Sequence, residues 1–228
     1  MLAPITPFDD RGAIDENLFQ RNVDIQLARG ATGFLVGGCT GEFWAMSAAE
    51  RRDLFTIGVK AVRGRGTVLA GTGAITAGVL RWVGFDDDDE TALEEMWAVN
   101  VKAPLRLIRL ALPELRKSGN GRIVNIASTD GKRYRDATVS VGYAMTKHAL
   151  VALCHGARFA GWSDGVRVTA LCPGAVETEL LAGIPGATPS GQRMMPQTVA
   201  DAVSFLLGLP DNASAAEFSL NARLESTL

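Results

Sequence analysis

Cysteine is scarce in this chain of 228 residues: Cys39, Cys154 and Cys172 are the whole complement, and no two of them form a Cys-x-x-Cys pair. An odd, scattered set supplies neither a disulfide framework nor a zinc site, and no metal centre is expected. A surplus of charge of one sign is missing as well. The net charge is −2 with 21% charged residues, which excludes the basic stripe that nucleic-acid binding demands. No uninterrupted apolar run is long enough to cross a bilayer, and no charged stretch leads into an apolar core at the N-terminus. A cytoplasmic protein without membrane or nucleic-acid partners is therefore expected. Histidine is nearly absent too. His148 and His155 fall on one helical pattern and read as packing or surface residues, since no motif needs them as catalysts. What is present is enough apolar sequence to bury a substantial core in a chain of single-domain size.

The first third alternates strands and helices. Leu2 to Phe8 carries Pro4 and Pro7, which restrict it to an extended or edge conformation. Asp9 to Gly12 is a turn, and Leu18, Val23, Ile25 and Leu27 give Ile14 to Arg29 a helical pattern closed by Gly30. Ala31 to Gly38 reads as a buried strand running into Cys39-Thr-Gly-Glu42. Ser47 with Glu50 makes a capping box for a helix to about Val62. Gly66 to Gly73 is a second strand ending in glycines. Such alternation calls for a parallel sheet or barrel.

The stretch that organises the chain is Tyr143-Ala-Met-Thr-Lys147, inside a helical pattern from about Val141 to Gly161. Residues at i and i+4 lie one above the other on one helix face. A phenol with its reference pKa of about 10 is a poor proton donor or acceptor at neutral pH. A protonated lysine beside it favours the phenolate, and a tyrosine so tuned can exchange a proton with an alcohol oxygen. Upstream, the apolar run Ile123 to Ala127 has strand length and ends in Ser128, where ligands gather in open α/β sheets. Asn100 sits in a helical pattern from about Glu90 to Lys117, just ahead of Pro104, which implies a kink. The acids Asp86 to Glu90 read as N-terminal charge favoured by the macrodipole rather than as a metal site. Downstream, a strand from Val166 leads to Pro173-Gly174 and Thr178; Leu180 to Gln192 reads as a mobile lid loop, and Pro196 opens a last helix to about Leu207.

Asn100, Ser128, Tyr143 and Lys147, in this order and these local settings, resemble the catalytic tetrad of the short-chain dehydrogenase/reductase family, over about Ile75 to the C-terminus. The resemblance implies a three-layer, Rossmann-like α/β domain with a mainly parallel sheet. It also implies hydride transfer between NAD or NADP, which the sequence does not distinguish, and a small-molecule carbonyl or alcohol. Tyr143 would be the acid/base, Lys147 its pKa modifier and ribose anchor. Ser128 would orient the substrate oxygen, and the Asn100 backbone would position a water linking the lysine to solvent. Thr76-Ala77-Gly78 resembles the family's Asn-Ala-Gly turn at the cofactor, with threonine for asparagine; Pro173, Gly174, Val176 and Thr178 resemble the segment that holds the nicotinamide side. Fifteen positions separate Ser128 from Tyr143, a little more than is usual in the family. The extra length falls in the polar loop Thr129 to Ser140, expected to shape the substrate pocket, and Ser140 is a rival for the serine role. A homodimer or homotetramer packed through the Asn100 and Tyr143 helices is also implied.

The first third departs from that family, whose dinucleotide site opens with a Gly-rich turn of the form Thr-Gly-x-x-x-Gly-x-Gly. Such a turn lets backbone N–H groups and a helix N-terminus meet the pyrophosphate. Gly37-Gly-Cys-Thr-Gly41 has a different spacing, and Glu42 would set a negative charge near a phosphate. Instead, Ala3-Pro-Ile-Thr-Pro-Phe8, Gly38-Cys-Thr-Gly-Glu42, the helix start at Ser47 and Val68-Leu-Ala-Gly-Thr-Gly73 resemble the opening of a (β/α)8 barrel of the dihydrodipicolinate synthase/N-acetylneuraminate lyase type. In that family the Gly-x-Thr-Gly-Glu-like loop holds the carboxylate of a pyruvate-type substrate. The family's later Schiff-base lysine and its partner tyrosine have no counterpart here. The expectation is a barrel-like segment over 1–74 and a dehydrogenase-like catalytic half over 75–228 in one composite domain: a chimera, natural or engineered. The missing pyrophosphate half leads us to expect weak or no turnover. Two further classes stay open: a non-catalytic chimera, and a pyruvate-type class I lyase, disfavoured for want of a Schiff-base lysine motif.

Overall fold

The computed structural model describes residues 2–38, 46–70, 78–184 and 186–222, and the chain divides into two units, Met1–Ile75 and Thr76–Leu228. In the first, Asp15 caps α1 (Glu16–Ala28) by accepting the Leu18 N–H at 2.9 Å. β1 (Gly33–Val36) and β2 (Thr67–Ala70) pair in parallel, Phe34 opposite Val68, and Leu2 also bridges to Phe34. α2 (Ala48–Val62) opens with both bonds of the capping box: Ser47 N–H to Glu50 Oε2 at 2.7 Å and Glu50 N–H to Ser47 Oγ at 3.2 Å. Phe19 and Val23 of α1, Phe34 and Val36 of β1, and Leu54 and Ile57 of α2 form the core of this unit. Gly58 lets α2 approach β1, because a Cβ there would meet Val36 Cγ2 at 2.8 Å. The Cys39 to Glu42 loop and residues 71–77, which include Ala77, lie outside the described residues.

In the second unit β3 (Arg122–Ile126), β4 (Arg167–Pro173) and β5 (Glu217–Leu220) form a parallel sheet in that order. Successive side chains of a strand point to opposite faces. Val168, Ala170 and Cys172 of β4 therefore pack with Leu150, Val151, Cys154 and Ala157 of α5 (Val141–Gly161), and Leu171 with Ala202 and Leu206 of α6 (Pro196–Leu207). Helices on both faces make this unit the three-layer α/β arrangement expected. Among the described residues the parallel strands fall into two sheets, one in each unit. The segment Val79 to Val83 belongs to neither, and side chains take up its polar groups. Arg81 N–H donates to Met96 Sδ at 3.4 Å, Ser140 Oγ donates to the Arg81 carbonyl at 2.8 Å, and Val83 N–H donates to Ser140 Oγ at 3.2 Å. Ser140 also caps α5 by accepting the Tyr143 N–H.

The one helix expected over Glu90 to Lys117 is three segments: α3 (Glu90–Trp97), a π-helical turn (Ala98–Lys102) and α4 (Ala103–Ser118). Asp89 caps α3 by accepting the Ala92 N–H at 2.9 Å. Pro104 stands in the first turn of α4, where a missing N–H is tolerated. An α-helix would need that N–H for the Asn100 carbonyl four residues earlier; the π turn accommodates its loss. After β3 a 3-10 turn, Thr129–Gly131, seats on α5 so closely that a Cβ on Gly131 would meet the Lys147 carbonyl oxygen at 2.7 Å. Gly131→Ala is expected to lower stability by about 1–3 kcal/mol, read from the urea midpoint. Gly156→Ala is the control: its Cβ would have nothing within 4 Å, and removing a helical glycine is expected to stabilise by about 0.5–1 kcal/mol.

Candidate active site

Four side chains named from the sequence converge in the second unit. Tyr143 and Lys147 project from α5 and are 6% and 1% exposed; Ser128 follows β3, and Asn100 sits in the π turn, both buried. Lys147 Nζ donates to the Ile126 carbonyl at 3.0 Å and lies 5.5 Å from the Tyr143 ring centre. The Ser128 hydroxyl is close enough to the Tyr143 phenol to favour its ionised form and accepts the Asp130 N–H at 3.1 Å. The Asn100 side chain is fully occupied: Oδ1 accepts the Val79 N–H at 2.8 Å, and Nδ2 donates to the Val79 carbonyl at 2.8 Å and to Thr146 Oγ1 at 3.0 Å. Its main-chain carbonyl is denied an α-helical donor by Pro104.

The electrostatics differ from those the i,i+4 spacing led us to expect. Burial pushes the Tyr143 phenol above its usual value, the Asp130 carboxylate adds to that, and the Ser128 hydroxyl opposes both. Burial also lowers the Lys147 ammonium to about 8, with the nearby Cys172 and Cys154 thiols opposing. Desolvation of a phenolate outweighs the field of a cation whose own charge is being desolvated. At neutral pH the phenol holds its proton and the lysine remains mostly charged.

Among the segments expected to meet a cofactor, Gly78 reaches these groups. Gly78, at φ 155°, packs so tightly that a Cβ would meet Asn100 Oδ1 at 2.8 Å and Lys147 Nζ at 2.9 Å. Pro173 ends β4 opposite Leu220, and Gly174 N–H donates to the Leu220 carbonyl at 2.7 Å. Val176 bridges to Met194, and Thr178 precedes a 3-10 turn, Glu179–Leu181. Glu177 ties the base of the loop expected to act as a lid. It accepts from Ser190 Oγ at 2.9 Å and pairs with Arg193 Nη1 at 3.1 Å. Four residues escaped the sequence: Thr146, Gly131, Asp130 and Cys172, whose thiol donates to the Ala170 carbonyl at 3.6 Å. Gly131, three positions after Ser128, and Thr146, beside Lys147, were adjacent to motifs already in view. His148 bonds the Ala144 carbonyl on its own helix and His155 pairs with Glu217 at 2.9 Å, as structural residues would.

The depressed Lys147 value sets a pH dependence. Between about pH 8 and 10.5 the unfolded chain holds a proton that the folded lysine has released, so stability rises through that window. Lys147→Met is expected to lose this rise, a difference on the order of 3 kcal/mol, seen by comparing urea midpoints at pH 7.5 and pH 10 in both proteins.

Comparison with known proteins finds two families in the chain. The family model for short chain dehydrogenase matches residues 74–187, and that for the dihydrodipicolinate synthetase family matches residues 1–82. Agropine synthesis reductase of Rhizobium rhizogenes is 39% identical over 127 residues, covering 56% of this chain and 29% of that protein. An uncharacterized DapA-like lyase of Rhizobium meliloti is 41% identical over 73 residues, covering 32% of this chain and 24% of that protein. The chain thus spans under a third of the length of either relative. A gluconate 5-dehydrogenase from Burkholderia cenocepacia J2315, solved with NADP and tartrate, shares the fold at a TM-score of 0.61 and 21% identity, over 77% of this chain and 69% of that one. The chain has a two-part composition, and through residues 74–187, which carry Asn100, Ser128, Tyr143 and Lys147, it belongs to the short chain dehydrogenase family.

Proposed function

We propose that this chain is an oxidoreductase that binds NAD or NADP and transfers hydride between the nicotinamide and a small-molecule carbonyl or alcohol. The observation that carries the reading is the buried Tyr143 phenol close to the Ser128 hydroxyl and beside the Lys147 ammonium. The residues present fit a dinucleotide at its ribose and nicotinamide end. Gly78 offers a backbone surface that a Cβ would fill, Lys147 is a buried donor for ribose hydroxyls, and Pro173, Gly174, Val176 and Thr178 line the nicotinamide side. When bound, the nicotinamide supplies or takes up the hydride.

The protein's own groups handle the oxygen. Ser128 holds the substrate oxygen, and Tyr143 gives its proton to that oxygen in reduction or removes one in oxidation. The Lys147 charge stabilises the phenolate left behind, and the Asn100 carbonyl anchors the water through which the proton is restored. The front segment lacks the family's Gly-rich motif, so weak turnover is part of this proposal. The 1–74 and 75–228 segments act as one composite domain in the cytoplasm, where the buried Cys154 and Cys172 stay free thiols. No helix among the described residues is long and apolar enough to cross a membrane. Exposed Val99, Leu110, Met145, Phe159 and Trp162 support a homodimer or homotetramer through the helices that carry Asn100 and Tyr143.

Calorimetric titration with NADH and NADPH is the first test. Micromolar binding of either is expected, and a folded protein that binds neither would retire the oxidoreductase reading in favour of a non-catalytic chimera. Tyr143→Phe is expected to reduce kcat by roughly 10²–10⁴-fold while dinucleotide affinity is retained.

A further inference from the structure

Thr146 lies between Tyr143 and Lys147 in the sequence and is completely buried, yet the proton chemistry gives it no task. Its hydroxyl donates to the Tyr143 carbonyl at 2.8 Å and accepts from Asn100 Nδ2 at 3.0 Å. The first bond is the familiar return of a threonine to the preceding helical turn. The second joins α5 to the π turn. Because the only hydroxyl proton is committed to Tyr143, Thr146 presents lone pairs to Asn100, and an amide nitrogen must face it. The reversed amide would set Oδ1 against the Thr146 lone pairs and the Val79 carbonyl, and Nδ2 against the Val79 N–H. Thr146 therefore reinforces the orientation that the Val79 N–H and carbonyl demand, and ties the amide that holds Val79 to α5. Gly78, the neighbour of Val79, rests on the same two groups, Asn100 Oδ1 and Lys147 Nζ.

We propose that Thr146 is a positioning residue for the cofactor turn: through the Asn100 amide it clamps Gly78 and Val79 against Lys147, so that the turn and the helix bearing Tyr143 keep one geometry. This rests on the dinucleotide-dependent activity proposed above. Valine copies the shape of threonine without its hydroxyl, whereas serine keeps the hydroxyl. In Thr146→Val the Asn100 side-chain amide protons are expected to shift in ¹H–¹⁵N spectra and to exchange faster than in the native protein. The Kd for NADH or NADPH is expected to rise roughly tenfold, the consequence of one buried polar group losing its partner. The KM for dinucleotide should rise more than kcat falls. Thr146→Ser is expected to restore all three. If the valine variant does not fold, Thr146→Cys, a weaker acceptor of similar size, takes its place with a smaller change in the same direction. Native Asn100 signals in the variant, or altered signals with an unchanged Kd, would overturn the proposal while native turnover leaves the oxidoreductase reading intact. A native protein that binds neither dinucleotide removes that reading, and the positioning role with it.

Discussion

A lysine ammonium with 1% exposure is the constraint that the second unit is built around. A buried charge is tolerated when hydrogen-bonded or paired, and otherwise the group surrenders its proton. Here the Ile126 carbonyl at the end of β3 takes one of its hydrogens, and the packing around it depends on glycines. Gly78 approaches Nζ and Gly131 approaches the Lys147 main chain, and a side chain at either place would collide. Those contacts bring together the end of β3, the 3-10 turn after Ser128 and the segment from Gly78 around one point on α5.

The same burial decides the acid–base character of the site. Desolvation moves the Tyr143 phenol up and the Lys147 ammonium down, so the two values move apart, the phenol keeping its proton and the lysine still mostly charged at neutral pH. A phenol that keeps its proton is suited to donating it when negative charge develops on a nearby oxygen, and the lysine charge is then most valuable because little water competes with it. Perturbed values of this kind gather at functional sites.

The two-part composition is compatible with a folded chain because each unit buries its own apolar set. Phe19, Phe34 and Leu54 serve the first and Ile108, Leu150 and Val168 the second. Parallel pairing is used in both, and units of strand and helix with short connections can be exchanged more readily than interdigitated folds.

Much of this architecture was legible in local sequence. The Ser47–Glu50 capping box, the start of the last helix at Pro196, the strand before Ser128 and the long helix from Val141 are each written in a few adjacent residues, and the order Asn100, Ser128, Tyr143, Lys147 pointed to the family. Pro104 announced a break in its helix but not that the break would be a π turn. The link from Asn100 to Thr146 spans 46 positions and that from Asn100 to Val79 spans 21; bonds between single residues at such separations leave no periodicity to read. The sequence by itself determined which side chains could do chemistry and on which elements they would stand, because caps, strands and helix faces are set by neighbours along the chain. Only the tertiary structure decided the direction in which Tyr143 is tuned and the use to which Asn100 is put, because both follow from loss of water and from partners that folding alone brings within reach.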